Sequence, residues 1–293
     1  MKKKSKRQKK ADRLIQHIDI FRCPICQQPV HIDQYTSFIC ENNHSFDMAK
    51  QGYVFLLTKP TQTNYTKKLF AERRKIHVHS KFYITFHQIV AQLVDTYAPT
   101  TDHTIRMIDM GTGEGSHMQL IASYAEQLQK RTITGIGLDI AKEGIMQAAK
   151  HDDKHIWLVA DLAHSPIASA SIDIILNILS PSNNTEFTRI IKDDGIIMKV
   201  IPGNFYLQEV RTFFQATATS SHSNQSVKNH FSKHFHLIDT VKIQETHTLS
   251  KEERYSLAQM SPLAWDAPEQ VTNNFIEHGP SELTIDLEIL IGR

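Results

Sequence analysis

No cysteine occurs after position 40 of this 293-residue chain. The three it has, Cys23, Cys26 and Cys40, fall within one eighteen-residue stretch. This scarcity excludes a disulfide scaffold, because pairing any two would strand the third. Also missing is any apolar run long enough to cross a bilayer. The opening MKKKSKRQKK is basic, but no apolar stretch follows it, so it does not read as a signal peptide. Neither an internal repeat nor a long low-complexity segment is evident. These absences point to a cytoplasmic protein with no membrane partner, and residues 1–13 read as a solvated, disordered basic tail.

What is present begins with the cysteines themselves. They form the string Cys23-x2-Cys26-x13-Cys40-x3-His44. Three thiolates and one imidazole satisfy a tetrahedral Zn²⁺ and leave no open position, so the expected metal is structural. The other histidines, His31 included, read as ordinary surface or core residues. The net charge of +2 hides a polarity. Residues 1–80 hold sixteen Lys/Arg against six Asp/Glu, and the remainder holds seventeen against twenty-five. A polyanion would dock on the N-terminal third, and a basic segment joined to a zinc module suits nucleic acid.

Residues 14–60 are expected to form the zinc module, with YTSFIC and GYVFLLT as strands around the metal. Residues 61–103 read as a helical linker, with Phe86, Ile89, Val90, Leu93 and Val94 on one apolar face and Pro99 ending it. From residue 104 to 293 apolar strands alternate with helices. TIRMIDM, TITGIGLDI, HIWLVAD, SIDIILNIL and DGIIMKVI read as strands buried on both faces of a parallel sheet. HLIDTVKIQETH and ELTIDLEILIG add two more. The fold class expected is α/β and Rossmann-like, doubly wound, with a mostly parallel seven-stranded sheet behind a small zinc ribbon.

The first strand runs into Asp109-Met-Gly111-Thr-Gly113-Glu114-Gly115. Such glycines let the backbone turn sharply and approach a ligand at a helix N-terminus. Asp139 closes the second strand, where a carboxylate can accept both ribose hydroxyls. Asp161 follows the third, where it can accept from an adenine amino group or simply cap a helix. A dinucleotide oxidoreductase would space its glycines differently and would not place acids against a pyrophosphate. Acids beside this loop suit the cationic methionine of S-adenosylmethionine, so a methyltransferase is favoured over a dehydrogenase. Asp109 reads as structural, holding the glycine loop.

CPIC, HSFDMAKQGYVFLL, ERR, IDMGTGEG, GLDI, SIDIILNILSP, IPGNFYL and QMSPLAW, in this order, resemble the RlmA-type 23S rRNA (guanine-N1)-methyltransferases. The resemblance covers residue 21 onward. It implies a zinc-ribbon domain that helps bind RNA, a class I methyltransferase domain and S-adenosylmethionine as cofactor. It also implies methylation of guanine N1 in a 23S rRNA hairpin, and a homodimer. Cys23, Cys26, Cys40 and His44 match the family's zinc ligands, and Gly113 and Glu114 its cofactor-loop contacts. Phe82 and Tyr206 fall where the family has residues near the cofactor, usually a Tyr and a His. The chain departs from the family pattern at NYTKKLFAERR, where the usual acidic residues are missing, at Ser80 in place of Gly, and at Ser180-Pro181-Ser182 in place of Ala-Pro-Cys.

Methyl transfer to guanine N1 needs an unpaired or flipped base and a route for its proton. Pro181 and Asn183 lie where this fold places substrate. Trp265 and Phe205 could stack an extruded guanine, although Trp265 also reads as a packing residue. No general base is identifiable. A small-molecule methyltransferase and a non-catalytic RNA-binding or ribosome-assembly protein are the alternatives.

Overall fold

The structure, a computed structural model, describes residues 4–59, 61, 63–99, 104–129, 131–214 and 224–293. Residues 1–3 of the expected tail, and residues 62 and 100–103 of the expected linker, lie outside them. Helix α1 (Lys6–Gln16) comes first. Strands β1 (Val30–Asp33), β2 (Ser37–Cys40) and β3 (Ser45–Asp47) then form a small antiparallel sheet. They are followed by β4 (Val54–Phe55), α2 (Lys67–Arg74), a π-helical turn at Lys75–His79 and α3 (Ile84–Tyr97). Next come β5 (Thr104–Met110), α4 (Ser116–Gln129), β6 (Thr132–Asp139), α5 (Lys142–His151) and β7 (Ile156–Val159). The order continues with β8 (Ile172–Ile178), α6 (Asn184–Ile190), β9 (Ile191–Pro202), α7 (Gln208–Phe213) and α8 (Asn224–Ser232). Strand β10 (Leu237–Thr248), α9 (Lys251–Met260), α10 (Glu269–His278) and β11 (Glu282–Gly292) complete it.

The large sheet runs β10-β11-β9-β8-β5-β6-β7-β4. From β9 to β4 every pair is parallel, and β11 pairs antiparallel with both β9 and β10. Seven of the eight strands come from residue 104 onward, as the sequence predicts. The eighth, β4, corrects the expectation that GYVFLLT flanks the metal. Val54 and Phe55 instead pair with Leu158 and Val159, extending the large sheet. Strand order reverses between β5 and β8, which opens a crevice at their C-terminal ends, where α/β sheets bind ligands.

Strand alternation feeds two cores. Met107, Trp157, Ile174 and Met198 face one side with α3, α4, α5 and α9. Ile108, Leu158, Ile175 and Ile197 face the other, and there they meet Phe21, Phe38, Met48 and Leu56 of the zinc module together with Ala11 and Leu14 of α1. The ribbon thus shares its core with the sheet and does not pack as a separate bead. Helix α1 corrects the disordered tail from Lys6 on. Ser5 and Gln8 form a reciprocal capping box, and buried Lys10 donates to the carbonyls of Ala149 and Asp152 at the C-terminal end of α5, both at 2.6 Å.

Candidate active site and metal centre

The metal ligands are assembled by β2, the turn after it and the loop before β1. One donor atom from each of Cys23, Cys26, Cys40 and His44 lies within 4.8 Å of the others. Cys26 Sγ and Cys40 Sγ are 3.7 Å apart, and His44 Nδ1 stands 3.5 Å from Cys23 Sγ and 3.4 Å from Cys40 Sγ. A tetrahedron with Zn–S near 2.3 Å and Zn–N near 2.0 Å has edges of roughly 3.8 and 3.5 Å. The donor set therefore fits zinc in type and in spacing. The Gln28 backbone amide pulls the Cys26 thiol down to about 6, towards the thiolate that a metal needs.

The glycine loop sits between β5 and α4, at the crevice. Gly115 adopts φ +80°, and a side chain there would run into the Trp157 ring. Gly111 lies against Ser180, so the loop abuts the segment after β8. The structure changes the expected role of Asp109, because Asp139 is the residue that fastens the loop. Asp139 accepts from the backbone of Gly113 at 2.7 Å and of Ala141 at 2.8 Å. Burial raises its carboxyl, and those two amides oppose the rise. Asp109 is buried with Oδ1 lacking a partner. Burial pushes its carboxyl up to about 7, with Asp139 and Glu114 adding to the effect against the nearby Thr112 hydroxyl.

Glu114 is buried in a polar nest. Arg74 Nη1 reaches it at 3.3 Å, His77 Nδ1 at 3.0 Å, and Ser116 Oγ donates a short hydrogen bond. His77 stacks on His117 with centroids 3.9 Å apart, and His117 meets His87 at 2.8 Å. Burial pushes all three imidazoles below their ordinary range, so they are neutral. Tyr83 packs edge-on against His77, and its hydroxyl meets that of Tyr206 at 2.7 Å. Tyr206 is thereby linked towards the loop through Tyr83, which no motif in the sequence marks. Phe82, its neighbour, has its ring against Tyr83 and His247 instead.

Asp161 caps a short 3₁₀ turn through Ala163 N–H at 2.8 Å, which realises its capping role while leaving the side chain partly exposed. Asn183 likewise caps α6 through Glu186 N–H at 3.1 Å. The Pro181 carbonyl accepts from Asn177 Nδ2 at 3.0 Å. Asn177 also reaches Met110 O at 2.7 Å, and its Oδ1 accepts from Lys199, which also donates to Ser180 O. These two buried groups fix the Ser180–Ser182 loop; Asn177 lies within the SIDIILNILSP string, but nothing in the sequence marked its role or that of Lys199. Trp265 is 40% exposed and lies outside this cluster, edge-on to Tyr65 at 5.6 Å.

The residues at the loop suit S-adenosylmethionine. A cation brought beside Asp109 would offset its buried, partnerless oxygen. Asp139 and Asp161 stand at the ends of β6 and β7, on the adenosine side of such a crevice.

Residues 21–67 match the profile of the RlmA N-terminal zinc ribbon. The chain is 34% identical over 276 residues to a Bacillus subtilis (strain 168) protein provisionally named a 23S rRNA (guanine-N(1)-)-methyltransferase, covering 93% of this chain and 96% of the relative. It is 25% identical over 281 residues to the 23S rRNA (guanine(748)-N(1))-methyltransferase of Streptomyces fradiae, covering 93% and 96%. Among solved structures, a provisionally named methyltransferase of Bacillus halodurans C-125 superposes with a TM-score of 0.45 at 12% identity, covering 70% of this chain and 97% of that one. Aligned nearly end to end with its Bacillus subtilis relative, the chain belongs to the RlmA-type 23S rRNA (guanine-N1)-methyltransferase family.

Proposed function

We propose that this protein transfers a methyl group from S-adenosylmethionine to N1 of a guanine in a 23S rRNA hairpin, in the cytoplasm. The observation that carries the reading is the placement of the zinc ribbon. It shares a core with the catalytic sheet and, through β4, flanks the strand that leads to Asp161. Helix α1, with five Lys/Arg against one Asp, is anchored in that same core, and a cationic element beside the wall of a cofactor crevice suits a polyanionic substrate, which a small-molecule methyltransferase does not require.

S-adenosylmethionine supplies the electrophilic methyl. The chain supplies position. Each Asp139 oxygen accepts one backbone amide, which leaves lone pairs for ribose hydroxyls. Asp161 is placed to accept from the adenine amino group, and Gly111, Gly113, Glu114 and Gly115 frame the methionine end with Tyr206 behind them. The Pro181–Asn183 segment, held by Asn177 and Lys199, receives the guanine. Partly exposed Trp265 stacks a neighbouring base. The family resemblance also implies a homodimer, which light scattering would reveal.

N1-methylation blocks the Watson–Crick edge, so it stops reverse transcriptase. Deleting the gene is expected to remove one such stop from 23S rRNA. The wild-type gene should restore it, and an Asp139→Ala copy should not. An unchanged stop pattern would favour the small-molecule reading.

A further inference from the structure

The glycine loop has a cover. Gly113 and Glu114 are buried, although a cofactor must reach them. What buries them is α2 and the π-helical turn behind it. A Cβ placed on Gly113 would meet Arg73 Nη1 at 3.4 Å and Phe70 Cε1 at 3.6 Å, and one on Gly144 would meet Phe70 Cζ at 2.9 Å. Phe70 is 1% exposed and forms, with Leu69 and Ala141, an apolar cluster apart from both cores. The cover is latched to the rest of the molecule. Glu72 accepts from Ser256 Oγ of α9 at 2.8 Å, and Arg74 holds Glu114.

The outer face of the same element differs in character. Lys67, Lys68 and Lys75 are exposed. Lys68 stands 5.5 Å from the Tyr255 ring centre and Arg73 5.9 Å from that of Tyr65. Tyr65, Tyr255 and Trp265 are each more than a third exposed. Cations interleaved with half-exposed rings fit an unpaired nucleic-acid strand, with phosphates on the cations and bases on the rings. Tyr65 joins the two faces, since its ring meets Trp265 on the outside and Phe70, at 5.8 Å, on the inside.

We propose that α2 is a lid over the cofactor loop, and that an unpaired RNA strand docking on its outer face opens it. A base that draws Tyr65 off Trp265 also loosens the packing on Phe70, so RNA docking and cofactor admission are one movement. The proposal rests on the methyl-transfer reading above and adds its regulation. Linkage makes the effect reciprocal, so cofactor tightens RNA by the factor by which RNA tightens cofactor.

The test measures S-adenosylmethionine binding to the full zinc-loaded chain by calorimetry, with and without an unmodified 23S rRNA transcript. The transcript is expected to tighten wild-type binding on the order of tenfold. Phe70→Ala should reach a similar affinity without RNA and gain little from it. Removing a buried ring can unfold a protein, so the double variant Glu72→Gln with Ser256→Ala, which frees the latch and keeps the ring, must shift the same way. Equal cofactor affinity in the wild type and the latch variant, or a transcript that binds without changing that affinity, overturns the lid and leaves the methyl-transfer reading standing. Absence of cofactor binding in every variant, with and without RNA, overturns both.

Discussion

Asp109 is a buried carboxylate with a partnerless oxygen, and it gains from a cation beside it. Its folded-state pKa of about 7 lies above its ordinary value of 3.8, chiefly through burial. Folding therefore takes up a proton between those values. The ionised form carries a stability cost that is absent below the lower value and complete above the upper one. A bound sulfonium or ammonium reverses the preference. S-adenosylmethionine affinity is accordingly expected to rise as pH climbs from 6 to 8, by up to about tenfold per unit below 7, and to flatten in Asp109→Asn. Calorimetry at the two pH values checks this, and a flat wild-type profile would contradict it. The position of Asp109 was legible because strand, acid and glycines are consecutive. Its partnerless oxygen was not, because that depends on what surrounds it in space. Lys10 makes the same point more sharply. Composition shows only a run of cations, whereas the carbonyls it reaches at Ala149 lie 139 residues away. Lys10→Met should cost about 2–3 kcal/mol in urea denaturation, since it leaves two buried carbonyls at a helix terminus unpaired.

At the scale of elements, cysteine spacing announced the ribbon, because four ligands around one ion constrain sequence directly. Its docking was hidden, because β4 is two residues long and pairs with a strand a hundred positions later. That pairing ties the module to the large sheet. Metal removal tests the consequence. The β1–β3 sheet is too small to persist on hydrogen bonds alone, and Phe21, Phe38 and Met48 lie in the same core as β5–β8. Chelation is expected to lower the stability of the whole chain on the order of 5 kcal/mol or more, within a single calorimetric transition. Two separated transitions, with the upper one unmoved, would mean that ribbon and sheet melt independently. The cluster of His77, Tyr83 and Tyr206 was only partly legible, since the family resemblance marked Tyr206 but Tyr83, 123 residues away, stands in no metal or nucleotide motif.

For the molecule as a whole, the split of charge along the sequence becomes a split in space. The basic helix α1 and the nearly neutral ribbon cover one face of an acidic sheet domain. Affinity for a 23S rRNA transcript should fall steeply with salt, because each neutralised phosphate releases counterions. Replacing Arg7 and Lys9 with Ala is expected to lower the slope of log affinity against log salt by roughly 1 to 2 while leaving cofactor binding unchanged. A filter-binding series from low to moderate salt would show it, and an unaltered slope would remove α1 from the RNA surface.

The position of β11 bears on how the chain is made. It follows every other strand of the large sheet in sequence, yet it lies inside, between β9 and β10. During synthesis β9 and β10 must therefore wait with unpaired edges until residues 282–292 emerge. Through that interval the nascent chain offers open strand edges to any neighbour, which makes it a natural client for chaperones and makes slow translation of residues 282–292 a risk for aggregation.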